Sequence, residues 1–399
     1  MGGLNTSLLI GMQSLEATQA ALDATSNNIA NSNTPGYTRE VPQFSANAES
    51  EVDGTVSGGG VTLDSLQSVR DELLNLQIQQ QTSQQSSADT ESSSLQQIQS
   101  LFSNTGEDLA STLTAFSSSL QQLSANPSSS SAQAGVLAAG QNLARSFNST
   151  ANGLTSAQSA ADQQVTQSVA QINSLSQQIA QLNAQIAQTV PAGQDGGTLQ
   201  DQRDQLVQQL SSLTSVSVTQ SSDGEVITTG NGTPLVMGGQ SFSLQTTTGS
   251  DGMQQVLDSN GNNITASLSG GQIGGAIQIR DQVIPGYLDQ LNTLASQFTT
   301  AFNAAQAQGY DSNGNTGQAF FTVPSGTAGA AAGISVVIAS GSQVAISSDG
   351  SAGSNGNVAN LSAVLTSALP SGQTPANAYA SLVFNVGNDA SNASAQSTA

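Results

Sequence analysis

Seven large apolar residues, Val165, Val169, Ile172, Leu175, Ile179, Leu182 and Ile186, recur in steps of three and four. An α-helix turns once every 3.6 residues, so this spacing gathers all seven on one stripe. A strand, with its period of two, would scatter them over both faces. Gln, Ser and Asn fill the positions between, where Glu and Lys are usual, so the outer face is solvated but almost chargeless. Such a face lies against a neighbour at little electrostatic cost. The pattern predicts a long coiled-coil-like helix, ended by Pro191 and Gly193.

Helical spacing recurs on both sides of it. Leu4 to Asn31 reads as a helix in which Leu8, Leu15, Leu22 and Ile29 fall at strict seven-residue intervals, with Leu4, Met12, Thr18 and Thr25 at neighbouring positions. A sustained heptad marks a seam for another helix; over so short a stretch it also fits an ordinary amphipathic helix. Residues 40–61 are turn-rich and acidic, with Glu49, Glu51, Asp53 and Gly58-Gly59-Gly60, and read as a loop or short strands. Leu63, Leu66, Val69, Leu73 and Leu76 restart helix spacing, followed by Gln and Ser to about Ser100. Leu109, Leu113, Phe116, Leu120 and Leu123 form another stripe, closed by Asn126-Pro127. Further helices are expected over Ala134–Leu154 and Leu199–Leu213.

At Val216 the period drops to two. Val216, Val218, Val226-Ile227, Leu235-Val236, Phe242–Leu244, Val256-Leu257 and Ile264–Leu268 are strand candidates. Asp223-Gly224, Asn231-Gly232, Gly238-Gly239 and Asn260-Gly261 separate them as hairpin-type turns. Helix spacing returns at Ile284, Leu288, Leu291, Leu294, Phe298 and Phe302, and again at Leu361, Leu365, Leu369 and Ala378–Val386. The expected fold is mainly α with an inserted β region: a long helical, coiled-coil-like bundle carrying a small β domain. The expected division is 1–38, an N-terminal assembly helix and turn; 39–213, the first helical part; and 214–275, the β insertion. After these come 276–318, a helical return, 319–350, a second β and loop region, and 351–399, a helical return with a low-complexity end.

Composition excludes several functions. Only 8% of the 399 residues are charged, against about 25% in ordinary globular proteins. All five cations are arginines (Arg39, Arg70, Arg145, Arg203, Arg280) and the net charge is −21. Without clustered cations, neither nucleic acid nor an anionic membrane surface is an expected partner. No segment approaches the roughly 20 apolar residues of a membrane span, so no membrane insertion is expected. The sequence has no Cys, His, Trp or Lys. That removes thiol and imidazole nucleophiles, zinc sites with Cys or His ligands, Schiff-base lysines and disulfides.

What remains for chemistry is thin. Asp258-Ser-Asn260-Gly-Asn262 and Asp311-Ser-Asn313-Gly-Asn315 have the look of oxygen-rich calcium loops. The twelfth position counted from Asp311, which should be a bidentate carboxylate, is Thr322. Turn chemistry is the preferred reading. Gly58-Gly59-Gly60 lacks the Lys-Ser/Thr of a phosphate loop and reads as a turn. Arg203 flanked by Asp201 and Asp204 reads as a local ion pair on an exposed helix face rather than a carboxylate site. No catalytic residue, cofactor or metal is expected.

The end of the first helix is more specific. Asn27-Asn28, Ala30-Asn31 and then Asn33-Thr34-Pro35-Gly36-Tyr37 stop it hard. Proline removes a donor and pushes the residue before it out of helical conformation, and glycine supplies the positive φ of the turn. Asn is a good helix terminator, but so many in a row exceed a cap, and they are read as bonding to neighbouring subunits. This order resembles the N-terminal signature shared by bacterial flagellar rod, hook and hook-associated proteins. Leu199-Gln-Asp-Gln-Arg-Asp-Gln-Leu-Val-Gln-Gln-Leu210, Gly230-Asn-Gly-Thr-Pro-Leu-Val236, Gly270-Gly-Gln-Ile-Gly-Gly275 through Arg280-Asp281 to Leu291, and Phe302-Asn303 to Gly309-Tyr310-Asp311 are similar to the flagellar hook-associated protein 1 family.

The resemblance implies a structural subunit at the hook–filament junction, extracellular on the flagellum and exported by the flagellar apparatus without a cleaved signal peptide. It implies self-association in a ring, with hook subunits and a second hook-associated protein as partners. Assembly would run through Leu8, Leu15, Leu22, Asn27, Asn28, Ile29, Asn31, Thr34, Pro35, Gly36 and Tyr37. The family ends in a long heptad helix that pairs with the first and that an export chaperone recognises. This sequence reaches Ala399 through Ala390-Ser-Asn-Ala-Ser-Ala-Gln without such a helix, so chaperone binding is left open. The rival readings are a hook or distal rod subunit, a secreted surface adhesin and an enzyme. The middle stretches argue against the first. An adhesin would need a signal peptide and anchor, and an enzyme His, Cys or paired carboxylates, none of which the sequence shows.

Overall fold

The computed structural model describes residues 2–48, 50–52, 55–102, 108–189, 196–221, 224–322 and 325–398. Glu49, Asp53, Pro191, Gly193 and Asp223, named above, lie outside these residues. In chain order the helices are α1 (Gly2–Ala30), α2 (Glu72–Phe102), α3 (Leu109–Ala125), α4 (Ser130–Thr189) and α5 (Gly197–Leu213). Then come α6 (Gly271–Gln278), α7 (Ile284–Ala307), α8 (Ala330–Gly333), α9 (Val358–Thr366) and α10 (Pro375–Ser397). The strands are β1 (Glu40–Ala46), β2 (Ser50–Val52), β3 (Thr55–Ser57), β4 (Val61–Ser68) and β5 (Val216–Ser221). They continue as β6 (Gly224–Thr229), β7 (Pro234–Met237), β8 (Gln240–Ser241), β9 (Gln245–Thr248) and β10 (Gln254–Leu257). The fold is mainly helical with an inserted antiparallel β region.

Two compact units divide the chain. One holds Met1–Ser87 and Thr166–Gly274; the other holds Ala88–Val165 and Gly275–Ala399. In the first unit β5, β6, β7 and β8 make a four-stranded antiparallel sheet in sequence order, and β9 pairs with β10. Val169, Ile172, Ile179, Val207, Leu210, Ile227, Leu235, Val236, Leu244 and Val256 are buried there. Asn183 ties α4 to the sheet by donating to the carbonyls of Glu225 (3.2 Å) and Gly238 (2.9 Å). Near the start of the chain β1 pairs with β4, and α1 packs on this hairpin.

The second unit is helical. α3 packs on α9 and α10, and α7 packs on α8, α9 and α10. Its centre is aromatic. Phe116, Phe147, Phe298, Phe302, Phe320 and Phe321, six of the chain's ten phenylalanines, are fully buried together. Most of their ring pairs are tilted or edge-on, with the Phe320 and Phe321 centroids 4.7 Å apart. Between α6 and α7 the helix opens into a π turn at Ile279–Val283. A wide turn of this kind displaces a backbone acceptor, and the Arg280 carbonyl receives Gln158 Nε2 at 2.9 Å.

Several expectations are corrected. Leu63 and Leu66 stand in β4, not in a helix. Pro42 faces Leu66 and Phe44 faces Leu63, because the register slips between Gln43 and Phe44 and leaves an extra residue on β4. A bulge makes a spacing of three on one strand match two on its partner, which imitates helix periodicity. The helices expected at Ala134–Leu154 and Val165–Ile186 are one helix of 60 residues, since buried Ala151, Leu154, Ala161 and Val165 carry the stripe across. Phe242–Leu244 lies between β8 and β9, and Ile264–Leu268 forms a 3-10 turn rather than a strand. In 319–350 the described residues hold the bridge Phe321↔Val336, the bridge of Ser347 to Tyr310 and α8, with no ladder. The low-complexity end is helical through Ser397 in α10, with Ala390 and Ala393 buried.

Candidate assembly interface

α1 is amphipathic in an unusual sense. Ala17 and Ala24 are 6% and 4% exposed, and Ile10, Gln13, Ala20, Ala21 and Asn28 are half-buried on the same side. That side lies on the β1–β4 hairpin, where Asn47 donates to Gln13 Oε1 at 3.3 Å. The larger apolar groups face away. Leu8, Leu15, Leu22 and Ile29 are 67%, 69%, 61% and 70% exposed, and Leu4, Leu9 and Met12 are exposed beside them. A helix meant only for its own core would bury Leu and expose Ala. Here the chain's own contacts take the small face and leave a heptad seam open.

The turn after α1 is built from its own residues. Tyr37 N–H donates to the Thr34 carbonyl at 3.2 Å, and Gly36 has φ 79°. This is the arrangement of a type II turn with Pro35 first and Gly36 second. Asn28 spends its amide inside the chain. Its Nδ2 donates to the Glu40 carbonyl (2.8 Å), while its Oδ1 accepts from Glu40 N–H (2.9 Å) and Tyr37 OH (3.0 Å). Asn31 donates to the Asn27 carbonyl (3.1 Å) and accepts from the Thr34 hydroxyl (3.2 Å). Asn27, Thr34, Pro35 and Gly36 are exposed. The predicted residues therefore fall into two groups: an outward seam, and a turn whose shape Asn28 and Asn31 hold.

Beneath the turn lies a cluster of charge. Arg70 reaches Asp201 and Asp204 on α5, each at 2.5 Å, and the Gly197 carbonyl at 3.0 Å. Arg203 points the other way, to Glu225 on β6 at 2.6 Å, with a longer contact to Asp204 at 3.3 Å. The expected local ion pair is thus present as the longer contact to Asp204, and the expected exposed face is corrected. Arg203 shares the buried side of α5 with Val207 and Leu210, and its short partner lies on the sheet. Burial pushes the Asp204 and Glu225 carboxyls up from the ordinary carboxylate value, against the pull of Arg70 and Arg203. Arg70 carried no local signal, because its partners are 127 to 134 residues away in sequence.

The two Asp-Ser-Asn-Gly-Asn stretches fold alike. Asp258 Oδ1 accepts from the backbone of Asn260 and Asn262, and Asp311 Oδ1 from that of Asn313 and Asn315, all at 2.8 Å. The Asn262 side chain, donating to Asp258 Oδ2 at 2.9 Å, and the backbone bonds lower the Asp258 carboxyl; burial raises that of Asp311, but its loop hydrogen bonds together outweigh burial and leave it lowered. Oxygen atoms engaged with the loop's own N–H groups make a turn. Among the described residues no group of three acidic side chains is placed to hold a metal ion.

Residues 95–321 match the family described as flagellar hook-associated protein FlgK helical domain. The chain is 32% identical to flagellar hook-associated protein 1 of Bacillus subtilis over 412 aligned residues, 90% of this chain and 81% of that one. The chain belongs to the FlgK family. Its identity to the Salmonella typhimurium member is 33%, over 79% of this chain and 59% of that one, so it spans under two thirds of that relative. Residues 8–38 also match the flagella basal body rod protein family, and that range contains every predicted interface residue. The fold is that of a solved FlgK, the flagellar hook junction protein of Burkholderia pseudomallei. The TM-score is 0.72 at 19% identity, over 81% of this chain and 97% of that one. Like its FlgK relatives, this chain is a flagellar structural protein. No helix among the described residues is long and apolar enough to cross a membrane.

Proposed function

We propose that this FlgK-family chain is a subunit of the junction between flagellar hook and filament, and that it assembles through the seam of α1. The observation that carries the reading is the exposure of Leu8, Leu15, Leu22 and Ile29 on a helix whose alanine face is already covered. Burying one such side chain contributes about 1.5–3 kcal/mol, so a seam of four is strongly favoured to find an apolar partner. The partners would be further copies of the chain in a ring, hook subunits on one side and a second hook-associated protein on the other. Export through the flagellar apparatus, with or without a dedicated chaperone, belongs to the same reading. So does the absence of a catalytic role. The turn residues Asn27, Asn28, Asn31, Thr34, Pro35, Gly36 and Tyr37 give the link between the seam helix and the β1–β4 hairpin its shape.

Electron microscopy of a strain deleted for the gene tests it. Bare hooks, with flagellin lost to the medium, are expected, and return of the gene should restore filaments. Leu15→Asp and Leu22→Asp remove seam contacts at exposed positions and should change the stability of the isolated chain by less than about 0.5 kcal/mol. Filament-bearing cells should be lost with both variants. Normal filaments in the deletion strain would overturn the reading.

A further inference from the structure

The β1–β4 hairpin and the helix lying on it stand on two feet. One is Thr38, just before β1; the other is Arg70, just after β4. Both feet rest on a single carboxylate. Asp201 Oδ2 accepts Thr38 N–H at 3.0 Å, and Asp201 Oδ1 pairs with Arg70. One helical turn along, Asp204 takes the other arm of Arg70, and Gln205 Nε2 donates to the Pro35 carbonyl at 2.6 Å. α5 is itself fixed from behind, since Arg203 binds Glu225 on the sheet.

We infer that this face of α5 is a seat that sets the direction in which α1 leaves the unit, making Arg70, Asp201 and Gln205 positioning residues for assembly. The inference rests on the reading of α1 as the assembly helix. The lever is long. Twenty-nine residues of helix span roughly 43 Å, so a tilt of about 10° at the turn moves the far end by about 7 Å. A knob of a heptad seam meets a hole between four side chains of its partner, and a shift of that size puts it out of register. The bonds inside the turn fix its shape but not its direction; direction comes from the seat.

Trypsin reads the seat directly, because the chain has no lysine and only five arginines. Arg39 is exposed and follows Thr38, and its carbonyl accepts the first hairpin bond from Val69 N–H at 2.9 Å. Cutting after Arg39 therefore requires that foot to lift. In the purified full chain, Asp201→Ala removes the Thr38 foot and one of the two carboxylates that hold Arg70, which keeps Asp204 and the Gly197 carbonyl, whereas Asp201→Asn keeps an oxygen for Thr38 N–H and removes one charge for Arg70. Cleavage after Arg39 and amide exchange at Thr38 should quicken about tenfold in Asp201→Ala, with Asp201→Asn between it and the wild type. Gln205→Ala, the loss of one surface bond, should quicken both about threefold and reads the same seat should Asp201→Ala not fold. Unchanged cleavage and exchange in the folded variants would overturn the seat. In cells, Asp201→Ala should leave most hooks bare, with partial rescue by Asp201→Asn. A lifted foot with wild-type filament numbers would overturn the positioning role while leaving the seam's role intact; loss of the seam variants' phenotype would strike the proposed function instead.

Discussion

Gly36 shows how far a single position carries constraint. Its φ of 79° is open to glycine and strained for any residue with a Cβ. A Cβ there would also press on Gln205, whose Cγ would be 2.7 Å away. Gly36→Ala thus has two costs, a left-handed backbone and the displacement of Gln205 from the Pro35 carbonyl. A loss of about 1–3 kcal/mol is expected in denaturant unfolding of the first unit, without change in the helical second unit. The glycine and its turn were legible in the sequence because Thr-Pro-Gly-Tyr is local chemistry. So were the two Asp-Ser-Asn-Gly-Asn turns, whose identical five residues fold identically in different surroundings. Arg70 was not legible. Nothing near it in sequence is its partner, and only the folded unit brings α5 beneath it.

Among the elements, α4 and β4 mark the limits of reading periodicity. The sequence pattern suggested two helices because it was followed through large side chains. The true stripe passes through Ala151 and Ala161, which are buried but weigh little in hydropathy. Small residues at these positions let neighbouring helices approach closely, so the continuity is a matter of packing rather than transfer energy. Ala161→Pro tests that continuity. It removes one helical hydrogen bond and clashes with the preceding turn, at about 3 kcal/mol or more. Circular dichroism should show an early, separate loss of helix signal; a single wild-type-like transition would mean two helices meeting at that point. In β4 the opposite error operates, since one bulge gives Leu63 and Leu66 a helix-like spacing while they face Phe44 and Pro42 across the hairpin. The heptad of α1 was legible as a stripe of large apolar residues, and the fold leaves that stripe exposed. That its alanine side would supply the internal contacts was not legible, because hydropathy alone assigns leucines to the inside.

The charge of the entire chain sets how it responds to pH. Twenty-six acidic residues against five arginines leave −21 and a pI near 4.1, so self-repulsion is substantial at neutral pH and relaxes on acidification. The seat acts in the same direction. Asp201, Asp204 and Glu225 carry three negative charges against Arg70 and Arg203, an excess of one. Burial raises Asp204 and Glu225, so the folded chain binds a proton there more tightly than the unfolded chain. Stability from this source is therefore present at low pH and lost as pH rises through the raised values. Asp258, Asp311 and Asp349 are lowered by their turn hydrogen bonds, and what they contribute is lost only as pH falls through values below the ordinary carboxylate range. Between these two windows the chain should be most stable. At low ionic strength the unfolding midpoint should be higher at about pH 5 than at about pH 7.5 and should fall again below about pH 3.5. Salt at about 0.5 M screens the surface repulsion but reaches the buried cluster poorly. It should narrow the gap between pH 5 and pH 7.5 without closing it. Differential scanning calorimetry of the wild type beside Glu225→Gln separates the two sources. The variant should lose part of the pH dependence that survives in salt, whereas an unaltered profile would remove the cluster from the account and leave net charge alone.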